Sequence, residues 1–438
     1  MKLITSLLRR RTKVPGRVRL VLERLEGREL PSVAPLVPEV PDRIVLIAEA
    51  EYAQDNNTLT RNDVINLFDT VAGTKKAVFA NGVVSFKTVH NPDLSTPLSA
   101  QSVSDLQSIF ENNAAWGMAP DVANLAGKVV GYNLANEHYQ GNDLLPSGQL
   151  AAGDPARALH ELVEKWFEGA DLPAIGVGGA TYQTAKGTLF GPNGPLASDV
   201  AQGAAGDCYF LSNLAETALQ APQDIENMFV DNGNGTYTVR FFEYDSSTKT
   251  TTPDYVTVNS KLPADSAGQF VYANHDFGGH STNIDDSKNV LWVALAEKAY
   301  AQLAEEGWSR ANWSASDAVN TYESINLGDN RVAGQQITGS LSANWVNILD
   351  HNSNQANTTI TTLTADFQSG DLITICTDDK KMSVSGLDDN HVYYVTAIDV
   401  ADDTVTLTNP YWDHGTKTLT LTLAELADNA DGAAVVGT

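Results

Sequence analysis

One short segment constrains this chain more than any other: a loop containing Gly203 and Gly206 that ends at Cys208 and leads into an amphipathic helix. The apolar face that predicts this helix consists of Leu211, Leu214, Ala215 and Ala218. Cys208 therefore falls in the first turn, where backbone N–H groups lack helical partners and the helix carries partial positive charge. Such a position favours a thiolate, so the segment predicts a nucleophile, whereas most buried cysteines are small apolar fillers.

Gln202 lies six residues before this cysteine, and its side-chain amide is a candidate for the site. Together with the backbone N–H of Cys208 it would supply two donors to an oxyanion that develops during acyl transfer. The ordinary alternative is an exposed loop amide.

A thiol nucleophile needs a base, and His391 begins a run of β-branched and aromatic residues that predicts a strand. A turn rich in aspartate follows, and residues 404–408 return as a second strand that ends at Asn409. An asparagine at this place can accept a hydrogen bond from the imidazole and hold it toward the thiol, as in a Cys-His-Asn triad. Taken singly, a strand histidine and a turn asparagine are ordinary features.

Residues 202–211 read Gln-Gly-x-x-Gly-Asp-Cys-Tyr-Phe-Leu, which resembles the nucleophile block of the calpain family. Residues 291–301 resemble the helix that calpains place later, and residues 258–263 resemble their strand before a Leu-Pro turn. The strand led by His391 and the following Asn-Pro resemble the second half of the family's site, although Tyr411 replaces a usual tryptophan. The resemblance covers roughly residues 185–425.

This resemblance implies a cysteine endopeptidase with a papain-like, two-lobed α+β fold. Residues 185–330 would form a helical catalytic lobe with Cys208, and residues 335–438 a β-rich lobe with His391 and Asn409. Before them, the sequence predicts a mainly helical region of unknown role at 43–180. Residues 1–42 are a basic segment and a proline-rich linker.

The resemblance also implies calcium, because calpains bind it with an aspartate nine residues before the nucleophile and a glutamate in a Tyr-Glu pair. Asp199 and Glu323 occupy matching places, and carboxylates suit Ca²⁺. Two solvated surface acids are the alternative. No organic cofactor is implied, and the remaining histidines show no paired spacing for zinc.

The net charge of -26 disfavours nucleic acid as a partner, so protein or peptide substrates are expected. No stretch approaches the roughly 20 apolar residues of a membrane span. Cys208 and Cys376 are interpreted as free thiols. The basic start lacks the apolar core of an ordinary signal peptide, which leaves a cytoplasmic or an exported, cell-surface location in a bacterium open. The oligomeric state cannot be deduced from the sequence.

Two other functions stay open. A catalytically silent calpain-like module would be used for binding and would be expected to lack a triad residue, whereas all three are present. A thiol acyl- or peptidyl-transferase would use the same cysteine and pass the acyl group to an amine instead of water.

Overall fold

A computed structural model describes residues 43–274, 283–309, 318–348, 353–380, 382–411 and 417–438, with the backbone alone for 353–359. Within these ranges the chain combines α-helices with β-sheets, in agreement with the predicted α+β class. It divides into two compact units. The first contains the residues up to Tyr132 together with Gln149–Val163, and the second contains Asn133–Gly148 and Glu164–Thr438.

The helices are α1 Arg43–Gln54, α2 Arg61–Val71, α3 Ala100–Glu111, α4 Pro120–Val130, α5 Ala156–Trp166, α6 Cys208–Gln220, α7 Pro222–Glu226, α8 Trp292–Leu303, α9 Asn330–Thr338, α10 Ser353–Ser369 and α11 Leu423–Asn429. The strands are β1 Lys75–Ala80, β2 Val83–Thr88, β3 His138–Tyr139, β4 Asn142–Asp143, β5 Thr181–Thr184, β6 Phe229–Asp231, β7 Thr236–Asp245, β8 Thr250–Asn259, β9 Lys261–Ala264, β10 Ala343–Val346, β11 Leu372–Thr377, β12 Val392–Asp399, β13 Thr404–Thr408, β14 Thr418–Thr422 and β15 Ala430–Val436. Short 3-10 helices include Ala197–Asp199 and Tyr322–Ile325.

The first unit packs helices α1 to α4 with the β1–β2 hairpin. Thr60 caps α2 through a capping box with Asp63. Phe68 of α2 and Phe110 of α3 bring their ring centroids to 4.8 Å. This region is therefore mainly helical, as predicted, but it also contains a β-hairpin that was not predicted.

Residues 133–148 and 164–180 belong to the second unit, although the sequence analysis grouped them with the region 43–180. The reason is a buried ion pair network. Lys165 Nζ lies 2.7 Å from Asp171 and 2.6 Å from Glu305, and its side chain is fully buried. A buried ammonium needs such partners, so these segments are held to the second unit.

The larger core of the second unit gathers around α6 and α8. Every residue of α8 is buried, and most of its side chains are apolar or small, with Glu297, Lys298 and Gln302 as the polar exceptions. Phe210 of α6 stacks on Tyr300 of α8 with ring centroids 4.1 Å apart. The β6–β7–β8 sheet packs on the same core through Val239, Phe241 and other inward side chains.

The second core lies on a six-stranded sheet of order β10–β15–β11–β12–β13–β14, in which each neighbouring pair is antiparallel. Successive side chains of β12 point to opposite faces, as a strand requires. Val392 and Tyr394 join the larger core, whereas Tyr393 and Val395 join the second core with α10 and α11. One strand therefore connects both cores.

No helix among the described residues is both long and apolar enough to cross a membrane.

Candidate active site

Cys208 is the first residue of α6, as the sequence predicts. The expected preference for a thiolate is nevertheless wrong for this packed state. Burial raises the pKa of Cys208 to about 12, and the backbone N–H groups of Val392 and Tyr209 offset only part of that cost. Since desolvation outweighs the helix terminus, the thiol keeps its proton until a base removes it.

His391 and Asn409 lie together at the end of the β12–β13 hairpin. His391 Nε2 is 2.8 Å from Asn409 Oδ1. The two meet because Tyr394 of β12 pairs with Thr408 of β13, so the residue just after β13 reaches the residue just before β12. Asn409 is 1% exposed, and its Oδ1 also accepts the backbone N–H of Tyr411 at 2.8 Å.

Cys208 comes near this pair through the residue that follows the histidine. The N–H of Val392 hydrogen-bonds to the thiol, and Ser212 Oγ, one turn along α6, donates to the Val392 carbonyl at 2.8 Å. Asn390 and Val392, on either side of His391, line the same cavity of about 720 Å³ as Cys208. Helix α6 and strand β12 thus place Cys208 against Val392, the residue that follows the predicted base.

Gln202 lies beside the third residue of the predicted triad. Its backbone N–H donates to Pro410 O at 2.8 Å, and it forms an isolated parallel bridge with Tyr411. The side chain is 8% exposed and its Nε2 donates to Ala205 O at 2.8 Å, within the loop that leads to Cys208. In the structure this amide therefore points into the loop. The sequence predicts instead that it faces an oxyanion.

Asp199 and Glu323 have different surroundings. Asp199 is buried, and its Oδ2 accepts the indole N–H of Trp292 at 2.8 Å and the Leu196 N–H at 2.9 Å. Glu323 is the second residue of the 3-10 helix Tyr322–Ile325; its N–H donates to Thr321 Oγ1 at 3.3 Å, and its side chain lies against Gly176. Within the described ranges, no three or more His, Cys, Asp or Glu side chains form a group able to hold a metal ion. A calcium site built on Asp199 and Glu323 would also need backbone carbonyl ligands, and it stays a prediction.

Cys376 lies on β11 directly opposite Val392 and lines the cavity. Both cysteines are free thiols, in agreement with the sequence analysis. Burial raises the pKa of Cys376 to about 11, which keeps it protonated. Its side chain is partly buried and packs against the larger core.

A pair of buried carboxyls adjoins the nucleophile, and the sequence analysis did not identify it. The carboxyls of Asp207 and Glu297 interact with each other, and Glu297 also accepts the Ala273 N–H at 2.9 Å. Burial raises the pKa of Asp207 to about 7 and that of Glu297 well above its usual range. Two buried carboxyls in contact share a proton, because like charges there repel each other strongly.

Thr377 and Asp388 were also missed. Thr377 Oγ1 accepts the His391 N–H at 2.9 Å, and Asp388 Oδ2 accepts a hydrogen bond from Asn409 Nδ2 at 2.9 Å. Asp388 comes three residues before the predicted base and next to Asp389, a local pattern typical of a solvated turn. Only the tertiary structure brings it to Asn409. Trp412, which follows Tyr411, lies outside the described residues, as do three of the remaining histidines, His275, His280 and His414.

Helix α6 carries the predicted thiol, and the β12–β13 hairpin carries the predicted imidazole and carboxamide. A model of the calpain family of cysteine proteases matches residues 181–416, more than half of the chain. The chain belongs to that family.

Among curated proteins, the chain is similar to calpain-14 of Homo sapiens. The two are 32% identical over 113 residues, which are 24% of this chain and 14% of the human protein. The match therefore covers a small part of that relative.

Proposed function

We propose that this chain is a cysteine endopeptidase that hydrolyses peptide bonds of proteins with Cys208, His391 and Asn409 as its triad. The observation that carries the proposal is the 2.8 Å contact of His391 Nε2 with Asn409 Oδ1, on a strand whose next residue hydrogen-bonds to the Cys208 thiol. The chain's place in the calpain family supports it. We extend the proposal to a papain-like arrangement, with the helical lobe and the β-rich lobe on either side of the cleft.

The chemistry begins with proton transfer. Asn409 occupies Nε2 of the imidazole, so Nδ1 takes the thiol proton, and the resulting imidazolium stabilises the thiolate that burial alone disfavours. The thiolate attacks the peptide carbonyl, and the Cys208 N–H at the start of α6 stabilises the oxyanion. His391 then protonates the leaving amine and later activates the water that hydrolyses the thioester.

The first test is cleavage of casein by the purified chain and by Cys208→Ala. We expect the variant to lose cleavage, because no other group in this scheme forms the thioester. Circular dichroism of both proteins serves as the folding control. Cleavage by Cys208→Ala equal to that of the unmodified chain would refute the assignment.

Alkylation with iodoacetamide, read by mass spectrometry, identifies the reactive thiol independently of any substrate. Cys376→Ala should still be labelled rapidly, whereas Cys208→Ala should not. Rapid labelling of Cys208 without any cleavage would favour the silent binding module.

The same experiment addresses calcium and group transfer. Cleavage that is lost in chelator and restored by millimolar calcium would support the Asp199 and Glu323 prediction, whereas equal cleavage in chelator would remove it. Products that carry an added amine, seen by mass analysis, would favour the acyl- or peptidyl-transferase.

A further inference from the structure

Asn409 is held on both sides of its carboxamide. Its Oδ1 receives the Tyr411 N–H, and its Nδ2 donates to Asp388 Oδ2 at 2.9 Å. A second contact of Nδ2, to Tyr393 Oη, is longer at 3.5 Å. Since Asn409 is 1% exposed, water does not substitute readily for a lost partner.

These partners determine which way the carboxamide faces. A carboxamide is nearly symmetric in shape, so its oxygen and nitrogen exchange places at little steric cost. A backbone N–H can only donate and an ionised carboxylate can only accept, so Tyr411 selects the oxygen and Asp388 selects the nitrogen. Both choices agree on one orientation, with Oδ1 toward His391.

That orientation in turn sets the state of the imidazole. Because Oδ1 only accepts, His391 Nε2 must carry the proton in the neutral ring, which leaves Nδ1 as the basic nitrogen. A reversed carboxamide would place its NH2 group against Nε2 and favour the other tautomer, in which Nδ1 is unable to take a proton from the thiol.

Asp388 is itself fixed in place. Its backbone N–H donates to Tyr393 Oη at 2.8 Å, and its carbonyl accepts Thr377 Oγ1 at 2.8 Å. The same threonine hydroxyl lies 2.9 Å from the His391 N–H and 3.1 Å from the His391 carbonyl. The loop from 388 to 391 is thereby attached at both ends to one side chain of β11.

We infer that Asp388 is a positioning residue of the site: its carboxylate orients Asn409, and through Asn409 it sets the tautomer of His391. The inference rests on the proposed function for its catalytic consequence. The orientation and the tautomer are structural properties and are measurable without turnover.

The test compares Asp388→Ala with Asp388→Asn, and uses Asp389→Asn as the matched control. Asp389 is the exposed carboxylate next in the chain. We expect Asp388→Ala to lower kcat by about 10–100-fold with little change in KM, the range typical of partners that orient a functional histidine. Asp388→Asn keeps an acceptor oxygen and should restore most of the rate. A rate for Asp388→Ala equal to the unmodified rate, or an equal loss in Asp389→Asn, would overturn the inference.

The ¹⁵N chemical shifts of the His391 ring distinguish a positioning role from a merely structural one, because they report the tautomer directly. In the unmodified chain, ¹⁵N shifts should place the proton of the neutral ring on Nε2, and Asp388→Ala should populate the other tautomer. If Asp388→Ala does not fold, the isosteric Asp388→Asn should still shift the Asn409 amide protons, because a neutral oxygen replaces a charged acceptor. Unchanged amide protons in that variant would contradict the inference. If the unmodified chain cleaves nothing, the proposed function fails while these spectra still decide the role of Asp388.

Discussion

Single residues of the site experience opposing forces, and Cys208 shows this most clearly. Its position at the start of α6 favours the thiolate, yet burial raises its pKa to about 12. Asp207, immediately before it, adds to the upward shift through its negative charge. Some cysteine nucleophiles are already ionised by their own surroundings. In this setting Cys208 depends on His391 to remove its proton.

Gln202 offers a prediction at the same scale. Gln202→Ala removes the side-chain amide and leaves the backbone N–H bond to Pro410 in place. If the amide turns from Ala205 O toward the reacting carbonyl when substrate binds, kcat should fall by roughly 100-fold with a small change in KM. Steady-state kinetics on a peptide substrate measure this split.

The structure also suggests an alternative role for Gln202, which the same variant tests. Its Nε2 bond to Ala205 O braces the loop before the nucleophile. If Gln202→Ala lowers the unfolding temperature and leaves kcat unchanged, the residue acts as a loop brace and the oxyanion role is wrong.

At the scale of elements, the site depends on how closely α9 approaches its neighbours. A Cβ added at Gly334 would lie 2.7 Å from Asn213 Oδ1 of α6 and 2.7 Å from Val436 Cγ2 of β15. Asn213 in turn donates to Asn330 O at 2.8 Å, which ties α6 to the first turn of α9. Helix α9 therefore sits between the helix of the nucleophile and the sheet of the base.

We expect Gly334→Ala to lower the free energy of unfolding by roughly 1–3 kcal/mol, because the added methyl forces these elements apart. Gly127→Ala is the matched control, since Gly127 lies within α4 with no atom near the added Cβ. That substitution should be neutral or stabilising by up to about 1 kcal/mol. Urea unfolding followed by tryptophan fluorescence compares the two, and equal effects would argue against the close packing of α9.

Local sequence patterns were sufficient to predict a helix or strand where the spacing of its side chains and the residues at its ends indicate the same element. The apolar spacing of α6 and the alternation of β12 each depend on a few neighbouring residues, and both elements form where the sequence predicts them. The partners of Asn409 could not be predicted this way, because Asp388 and Thr377 reach it through sheet pairing between segments distant in sequence. The direction of the Gln202 side-chain amide could not be predicted either, since it depends on how its own loop folds.

Across the whole molecule, several buried acids hold protons that exposed acids release. Burial raises the pKa of Glu216 well above its usual range. The carboxyls of Asp207 and Glu297 shift in the same direction. In each case the unfolded chain loses a proton near about pH 4 that the folded chain retains. The stability that these buried carboxyls contribute is therefore full below that pH, and it declines as the pH rises toward their folded pKa.

Glu216 on α6, fully buried against β11 and β12, allows a direct test of this pH dependence. Between about pH 5 and 7 the free energy of unfolding should fall as pH rises, because the unfolded chain releases this proton while the folded chain retains it. Glu216→Gln keeps the shape without a titrating group, so its unfolding free energy should fall less over this interval. The control is Glu226→Gln, an exposed position on α7. Parallel pH profiles for the unmodified chain and Glu216→Gln would show that Glu216 does not carry the effect.

Strand β12 contributes alternate side chains to two cores, with Val392 and Tyr394 on one face and Tyr393 and Val395 on the other. A slip of one residue would exchange the two sets and bury the wrong side chains in both cores at once. Such a shared strand limits how the sequence diverges during evolution. A mutation that reshapes either core moves the residue next to His391, so lineages that retain this site must change the two cores in concert, while the surface loops vary independently.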